Sequence, residues 1–213
     1  MAKLIGSEIN TGNYGEDTFC KVLMESFPDT YIIYRNRQVF GREFDMAMLI
    51  PNVGIVVFEI KGWRESTVLR IENGDTIIIK TENGEERATP QKQVRGYRFA
   101  IERRLLQDLG AKPIVFCMVV YPQISHSCYV QKHLNVITEP QFTVLKEDIS
   151  SAAAMQRQLL DVCNRYGCGH LYRRIRHCAD YGKSRPWRCR PFDCHILYRY
   201  NNVPRRIFCR CFQ

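Results

Sequence analysis

The chain has 213 residues, 45% hydrophobic and 25% charged, so it can bury one full core and is neither a disordered chain nor a fibrous repeat. Its longest apolar runs, residues 53–58 and 114–121, are far shorter than the roughly 18 residues of a membrane span, and the amino terminus lacks the apolar segment of a secretion signal. We therefore expect a soluble, cytoplasmic protein with reduced thiols, whose formal net charge is +9.

The first half of the chain predicts one helix followed by three strands. Apolar residues recur at helical spacing over residues 15–27, and the β-branched and aromatic segment 31–36 indicates a strand. Residues 42–50 and 54–63 are apolar runs separated by the turn residues Pro-Asn-Val-Gly. Two antiparallel strands joined by a tight turn explain this pattern.

The second half predicts a further hairpin, two helices and two more strands. Short strands near 67–71 and 76–80 flank a turn, and the later elements are a helix from Pro90 to about residue 109, a buried strand over 112–121, a strand at 134–138 and a closing helix over 147–163. The order predicts an α/β fold, in which a mixed sheet has helices on both faces.

One acid and one lysine interrupt the densest apolar run, at Glu59 and Lys61. Their side chains emerge on the same face of a strand because they are two residues apart. Asp45 lies on the preceding strand and would bring a second carboxylate near the first. Carboxylates placed together repel unless a cation lies between them, and such oxygen ligands suit Mg²⁺ or Mn²⁺. These residues predict a metal site.

The pairing register of the two strands tests this site. If the turn is centred between residues 52 and 53, Asp45 faces Ile60 and its side chain lies on the wrong face of the sheet. One extra residue restores the site, and we expect a β-bulge at Gly54. Carboxyl groups of Asp45 and Glu59 on opposite faces would rule the site out.

Several motifs in order resemble the nuclease-related domain, NERD, a family of the restriction-endonuclease-like PD-(D/E)xK superfamily. The resemblance covers roughly residues 9–140. It rests on an opening G-x-x-G-E motif, a Glu-Phe-Asp triplet, the strand ending in E-x-K-G-W and a Pro-x-x-Gln element, namely Gly12, Gly15 and Glu16; Glu43, Phe44 and Asp45; residues 54–63; and Thr89, Pro90 and Gln93. Thr89 stands where the family usually has Asn.

The resemblance implies a restriction-endonuclease-like core of α-β-β-β-α-β order and a Mg²⁺-dependent site that cleaves DNA. Asp45, Glu59 and the Ile60 carbonyl would hold the metal, and Lys61 would orient water or stabilise developing charge. Glu16 and Gln93 are implied as accessory site residues. Such domains often occur fused to helicase or kinase modules, so a helicase-type partner or a lost fused module is expected, and related folds frequently act as homodimers.

Simpler readings exist for each of these residues. A salt-bridged cluster at a sheet end would account for Asp45, Glu59 and Lys61, and helix-dipole compensation would account for Glu16. Gln93 and the arginines at 95, 98, 103 and 104 could form a solvated helix surface or contact phosphates. The chain could therefore be an inactive nucleic-acid-binding or regulatory module, or a fragment of a larger helicase-type protein.

The last 51 residues differ sharply from the rest. Residues 163–213 hold 11 Arg and one Lys against two Asp, a formal +10 that leaves −1 for residues 1–162, and they hold seven of the ten cysteines. We expect a nuclease-related domain over 1–162 and an irregular Cys/Arg-rich tail, disordered or non-native. No C-x-x-C occurs, which argues against zinc. Phosphate binding is one alternative, and a shifted reading frame is the one we favour.

Overall fold

A computed structural model describes residues 1–6, 12–51, 53–110 and 114–166. It contains nine strands and four helices within those residues. The strands are β1 (Lys3–Gly6), β2 (Ile32–Val39), β3 (Arg42–Ile50), β4 (Gly54–Ile60), β5 (Val68–Glu72), β6 (Thr76–Thr81), β7 (Gly84–Ala88), β8 (Val115–Val120) and β9 (Thr143–Val144). The helices are α1 (Tyr14–Ser26), α2 (Pro90–Leu109), α3 (His126–Gln131) and α4 (Ala152–Tyr166).

Six strands form the central sheet, in the order β1-β2-β3-β4-β8-β9. Pairing is antiparallel from β2 to β4 and parallel elsewhere, so the sheet is mixed. Strands β5, β6 and β7 form a separate antiparallel sheet. The predicted α/β class and the α-β-β-β-α-β order of the core are confirmed.

Alternate residues of the central strands point into two separate cores. Val56 and Phe58 pack with α1 and α4, through residues such as Phe19 and Leu159. On the other face, Ile55 and Val57 pack with Val94, Ile101 and Leu105 of α2. Helices therefore cover both faces of the sheet, as the sequence predicts.

The predicted strand at 134–138 is wrong. Leu134, Ile137 and Thr138 are the buried residues of this segment, and that spacing is helical rather than alternating. The backbone N–H groups of Ile137 and Thr138 both donate to the Leu134 carbonyl, so the chain forms a 3₁₀ turn over Leu134–Val136. Strand β9 lies further on, at Thr143–Val144.

The closing helix begins later than predicted, at Ala152. Before it, the Asp148 carboxylate accepts from the Leu145 N–H and holds a turn, and the Ser151 hydroxyl accepts from the Ala154 N–H. Helix α4 then runs across the predicted domain boundary at 162, and Cys163 is buried in the core. The predictions for residues 167–213, including the argument against zinc, lie outside the described residues.

Two strands and one short α-helix are also absent from the sequence-based prediction. Strand β1 pairs parallel with β2, β7 completes the second sheet, and the short helix α3 starts at the capping Ser125. None of the helices in the described part of the chain is long and apolar enough to cross a membrane.

Candidate functional site

The site begins with the register between β3 and β4. Met46 lies opposite Phe58 and Ile50 opposite Gly54, so facing residue numbers sum to 104 without a register shift. Continuing this register by one residue places Asp45 opposite Glu59. The predicted pairing of Asp45 with Ile60 and the predicted bulge at Gly54 are both wrong, because three residues rather than two separate the paired ends of the strands.

Gly54 has a different role. Its φ is +143°, and a Cβ built on it would lie 2.3 Å from the Ile114 carbonyl oxygen. The Ile55 N–H donates to that same oxygen at 2.9 Å. Glycine is required here because the chain passes close to the segment that leads into β8.

Asp45 lies where the ladder between β3 and β4 stops. The last paired residues are Met46 and Phe58, and beyond them the Ile60 N–H donates to Asp45 Oδ2 at 2.7 Å. The carboxylate thus accepts a hydrogen bond that a strand backbone would otherwise accept. Asn36, which faces Asp45 when the β2–β3 register is continued, has a φ of 49°. Backbone in this left-handed region is uncommon for non-glycine residues, although Asn tolerates it better than most.

Glu59 is a buried acid whose two carboxylate oxygens have different surroundings. It is 2% exposed and follows the alternation of Ile55 and Val57, so it lies on the α2 face of the sheet. Lys61 Nζ lies 2.6 Å from Glu59 Oε1. Oε2 has no partner within hydrogen-bond distance in the described residues, although the Tyr97 hydroxyl is close enough to favour the charged form.

The two carboxylates are electrostatically coupled. Burial raises the pKa of Glu59, and the nearby charge of Asp45 raises it further, while Lys61 partly offsets both effects. Burial likewise raises the pKa of Asp45, against the hydrogen bond from Ile60 and the charge of Lys61. The acids are therefore held together at an energetic cost that a cation would relieve.

Helix α1 brings Glu16 towards these acids. A Cβ on Gly15 would lie 2.9 Å from the Gly62 Cα, so the helix start packs directly on the backbone that follows β4. Asn13 caps the helix and its side-chain amide donates to Glu16. Burial raises the pKa of Glu16, and Asp45 is the next largest cause. The two glycines of the motifs thus explain how Glu16 reaches the site.

Arg35 on β2 is absent from the residues predicted from sequence. Its side chain is fully buried, and Nη2 lies 2.5 Å from Asp17 Oδ1 and 3.5 Å from Glu16 Oε2. The sequence does contain a signal, because Arg35 directly follows the apolar segment Tyr-Ile-Ile-Tyr within the same predicted strand. A buried cation of this kind requires paired acids, and here they are those at the start of α1.

Gln93 is the predicted site residue that the structure does not join to the carboxylates. It is exposed in the first turn of α2, and none of its side-chain hydrogen bonds in the described residues reaches Asp45, Glu59 or Lys61. Tyr97, one helical turn later, is the α2 residue beside Glu59, and burial and Glu59 both raise the pKa of its hydroxyl. An aromatic residue in an amphipathic helix gives no sequence signal for this contact.

The donor set of Asp45 and Glu59 fits a hard divalent cation. Two carboxylates lie at the end of the sheet, and one buried oxygen, Glu59 Oε2, has no hydrogen-bond partner in the described part of the chain. No three His, Cys, Asp or Glu side chains group as a metal site among the described residues, so backbone carbonyl and water oxygens would complete the shell. Mg²⁺ commonly binds through one or two carboxylates in this way.

A family model matches the part of the chain that carries these residues. The model of the nuclease-related domain matches residues 11–122, just over half of the 213-residue chain, and the match includes every predicted site residue from Glu16 to Gln93. Comparison with curated proteins and with solved structures found no match in either set. The chain belongs to the nuclease-related domain family.

Proposed function

We propose that this domain is a metal-dependent nuclease that hydrolyses DNA phosphodiester bonds. The observation that carries the proposal is the coupled pair Asp45 and Glu59 at the end of the central sheet, with Lys61 beside them. A structural ion pair needs one acid, whereas here a second acid raises the pKa of the first. That arrangement lowers stability and suits a cation site.

Asp45, Glu59 and the Ile60 carbonyl would hold Mg²⁺ or Mn²⁺. The ion would polarise the scissile phosphate and lower the pKa of a water molecule next to it. Asp45 is already fixed by the Ile60 N–H, so its second oxygen remains for a ligand. Glu59 offers Oε2 while Oε1 stays paired with Lys61.

Lys61 is the group that would contact the reacting atoms directly. Its side chain is 20% exposed, so the ammonium can reach a phosphate at the site while it remains next to Glu59. It would orient the attacking water and balance the negative charge that develops on phosphate oxygens. Glu16 and Gln93 are proposed as accessory residues that hold water or substrate near the metal.

One observation favours a second candidate. The 2.6 Å ion pair between Lys61 and Glu59 could be purely structural, in a domain that binds nucleic acid or regulates a larger helicase-type protein without cutting. A cytoplasmic location, homodimer formation and a helicase-type partner remain part of the proposal in either case. Cleavage separates the two candidates.

The test is a DNA cleavage assay with and without Mg²⁺. We expect the wild-type chain to cut only with the ion, and Asp45→Asn, Glu59→Gln and Lys61→Met each to lower the rate at least about 100-fold. These substitutions keep side-chain size, so a loss of rate reports chemistry rather than packing. Thermal unfolding of each variant checks that it is folded.

Asp29→Asn and Lys21→Ala are the matched controls, because both residues are exposed and come after the first turn of α1, which carries Glu16. They should cut as fast as wild type. Equal cutting by wild type and the three site variants would point to a contaminating nuclease. Absence of cutting by a folded wild-type chain that still binds DNA would favour the non-cutting module.

A further inference from the structure

The hairpin between β2 and β3 ends in an unusual turn. Val39 pairs with Arg42, so Phe40 and Gly41 form a two-residue loop, and their φ values are 48° and 72°. Positive φ at both central residues is the type I′ pattern, for which Asn-Gly or Asp-Gly is preferred. A bulky aromatic residue in this position is sterically unfavourable. Phe40 is also 46% exposed, so neither the backbone nor burial explains it.

Two arginines of α2 flank this exposed ring. The guanidinium carbons of Arg103 and Arg104 lie 5.4 Å and 5.8 Å from the Phe40 ring centre, which is within cation–π range. Arg104 also pairs with Asp108 at 2.7 Å, whereas Arg103 has no acidic partner in the described residues. The ring thus lies beside two cationic groups, of which one is paired with Asp108.

Arg42 connects this feature to the candidate site. A Cβ on Gly96 would lie 2.5 Å from Arg42 Nη1, so the missing side chain of Gly96 gives the arginine room against α2. The next residue, Tyr97, lies beside Glu59, and the charge of Arg42 lowers the pKa of its hydroxyl. From Gly96 to Arg103 the helix rises by about 10 Å. Arg42 thus lies between the Phe40 turn and the part of α2 that contacts Glu59.

We propose that Phe40, Arg42 and Arg103, the hairpin–helix surface, hold a single-stranded segment of DNA that leads to the site. The inference rests on the proposed function. Arginine pairs with phosphate, and an exposed aromatic face stacks on an unpaired base. The bases of a duplex are stacked on each other, so a duplex could pair its phosphates with the arginines but could not stack a base on the Phe40 ring. This selects single-stranded DNA, or a branch with an unpaired arm, as the substrate class.

The same surface could instead contact a second copy of the chain. That alternative also uses exposed aromatic residues, and Phe99, 65% exposed on α2, lies nearby at one-turn spacing from Arg103. The positive charge of Arg42 and Arg103 favours a polyanion, because a self-complementary contact would bring these like charges together. Oligomeric state is therefore an outcome of the test.

The test measures binding of a fluorescent oligothymidine of about 15 nucleotides, near the upper site size of such grooves, to the full chain in EDTA, which prevents cutting. We expect Phe40→Ala to weaken binding roughly five-fold or more through lost stacking. Arg42→Ala and Arg103→Ala should each weaken it and lower the salt dependence by about 0.7 in slope. Arg87→Ala is the matched control, since Arg87 is exposed on the second sheet and paired with Glu72.

Phe40→Asn gives a second, independent measurement. Asn suits the left-handed turn, so this variant should unfold at the same or a higher temperature than wild type and still bind less tightly. The basic residues 163–213 are common to all variants, so differences between variants report the hairpin–helix surface.

Unchanged binding in Phe40→Ala and Phe40→Asn would overturn the proposal, as would equal losses for a duplex of the same length. Loss of a dimer in these variants, with oligothymidine binding intact, would assign the surface to a second copy. A wild-type chain that binds DNA through this surface but does not cut it with Mg²⁺ would overturn the proposed nuclease function and leave the surface proposal standing.

Discussion

At the scale of single residues, the acids of the site act against the stability of the fold. The pKa values of Glu16, Asp45 and Glu59 are all raised, with burial as the largest cause in each. Ordinary carboxylates in folded domains are more often stabilised in their charged form. Three acids with the opposite tendency at one end of a sheet support the proposal of a functional site there.

Asp45→Asn should therefore stabilise the metal-free protein. Asn can still accept the Ile60 hydrogen bond through its side-chain oxygen, while the repulsion with Glu59 is removed. We expect the unfolding temperature at neutral pH in EDTA to rise by about 2 to 4 °C, the shift that 1 kcal/mol gives in a domain of this size. A lower unfolding temperature would mean that the Asp45 charge is part of a stabilising network.

The difference in unfolding temperature between Asp45→Asn and wild type should depend on pH, because the pKa of Asp45 is raised. A raised pKa means that the folded state binds the proton more tightly than the unfolded state, so stability falls as pH rises from the ordinary carboxyl pKa through the raised one. The higher unfolding temperature of Asp45→Asn should be absent below about pH 4, because the Asp45 carboxyl group of wild type is then protonated in both the folded and the unfolded state. Thermal unfolding of both proteins across acid and neutral pH measures it, and a difference that does not change with pH would contradict the assignment.

At the scale of elements, the start of α1 is placed by two glycines. A Cβ at residue 15 would lie 2.9 Å from the Gly62 Cα, so Gly15→Ala must push the helix away from the end of β4. We expect a loss of about 1 to 3 kcal/mol of stability and lower nuclease activity, because Glu16 moves with the helix. Lys21→Ala, an exposed change in the same helix, is the control. Equal effects of the two substitutions would show that the close approach has no role.

Much of the fold was predictable because its elements carry strong local patterns. The β3–β4 pair follows from alternation and a turn, and α2 begins at Pro90 and ends before Gly110 as expected. The register was predicted wrongly because turn length cannot be deduced from composition, and Gly54 fits both a bulge and a close approach. Residues 134–138 were predicted as a strand because they include β-branched residues, although the spacing of the buried residues fits the 3₁₀ turn at Leu134–Val136.

The site was predictable only in part, for a related reason. Asp45, Glu59 and Lys61 stand out because charges in apolar strands are costly. Arg35 was missed although the same argument applies to it. Its partners Glu16 and Asp17 lie at the start of α1, and no sequence pattern shows that this end of the helix contacts β2. The contact of Tyr97 with Glu59 depends on how α2 crosses the sheet, which no local pattern specifies.

At the scale of the whole molecule, the site lies at the end of a sheet that is packed on both faces. Helices α1 and α4 fix one face of β3 and β4 and α2 fixes the other, so Asp45 and Glu59 are held on rigid elements. The net positive charge does not come from this part of the chain, because residues 163–213 account for +10 and residues 1–162 for −1. We therefore propose that local arginines such as Arg42 supply the attraction for phosphate near the site.

The most direct test of the metal site is a titration of Mn²⁺ into the metal-free full chain, with free ion measured by electron paramagnetic resonance. We expect wild type and the control Asp29→Asn to bind one ion that both Asp45→Asn and Glu59→Gln lose. Any Mn²⁺ sites elsewhere would be common to all four proteins, so the difference in bound Mn²⁺ between them reports the proposed site. Equal Mn²⁺ binding by all four would contradict the assignment of Asp45 and Glu59 as metal ligands.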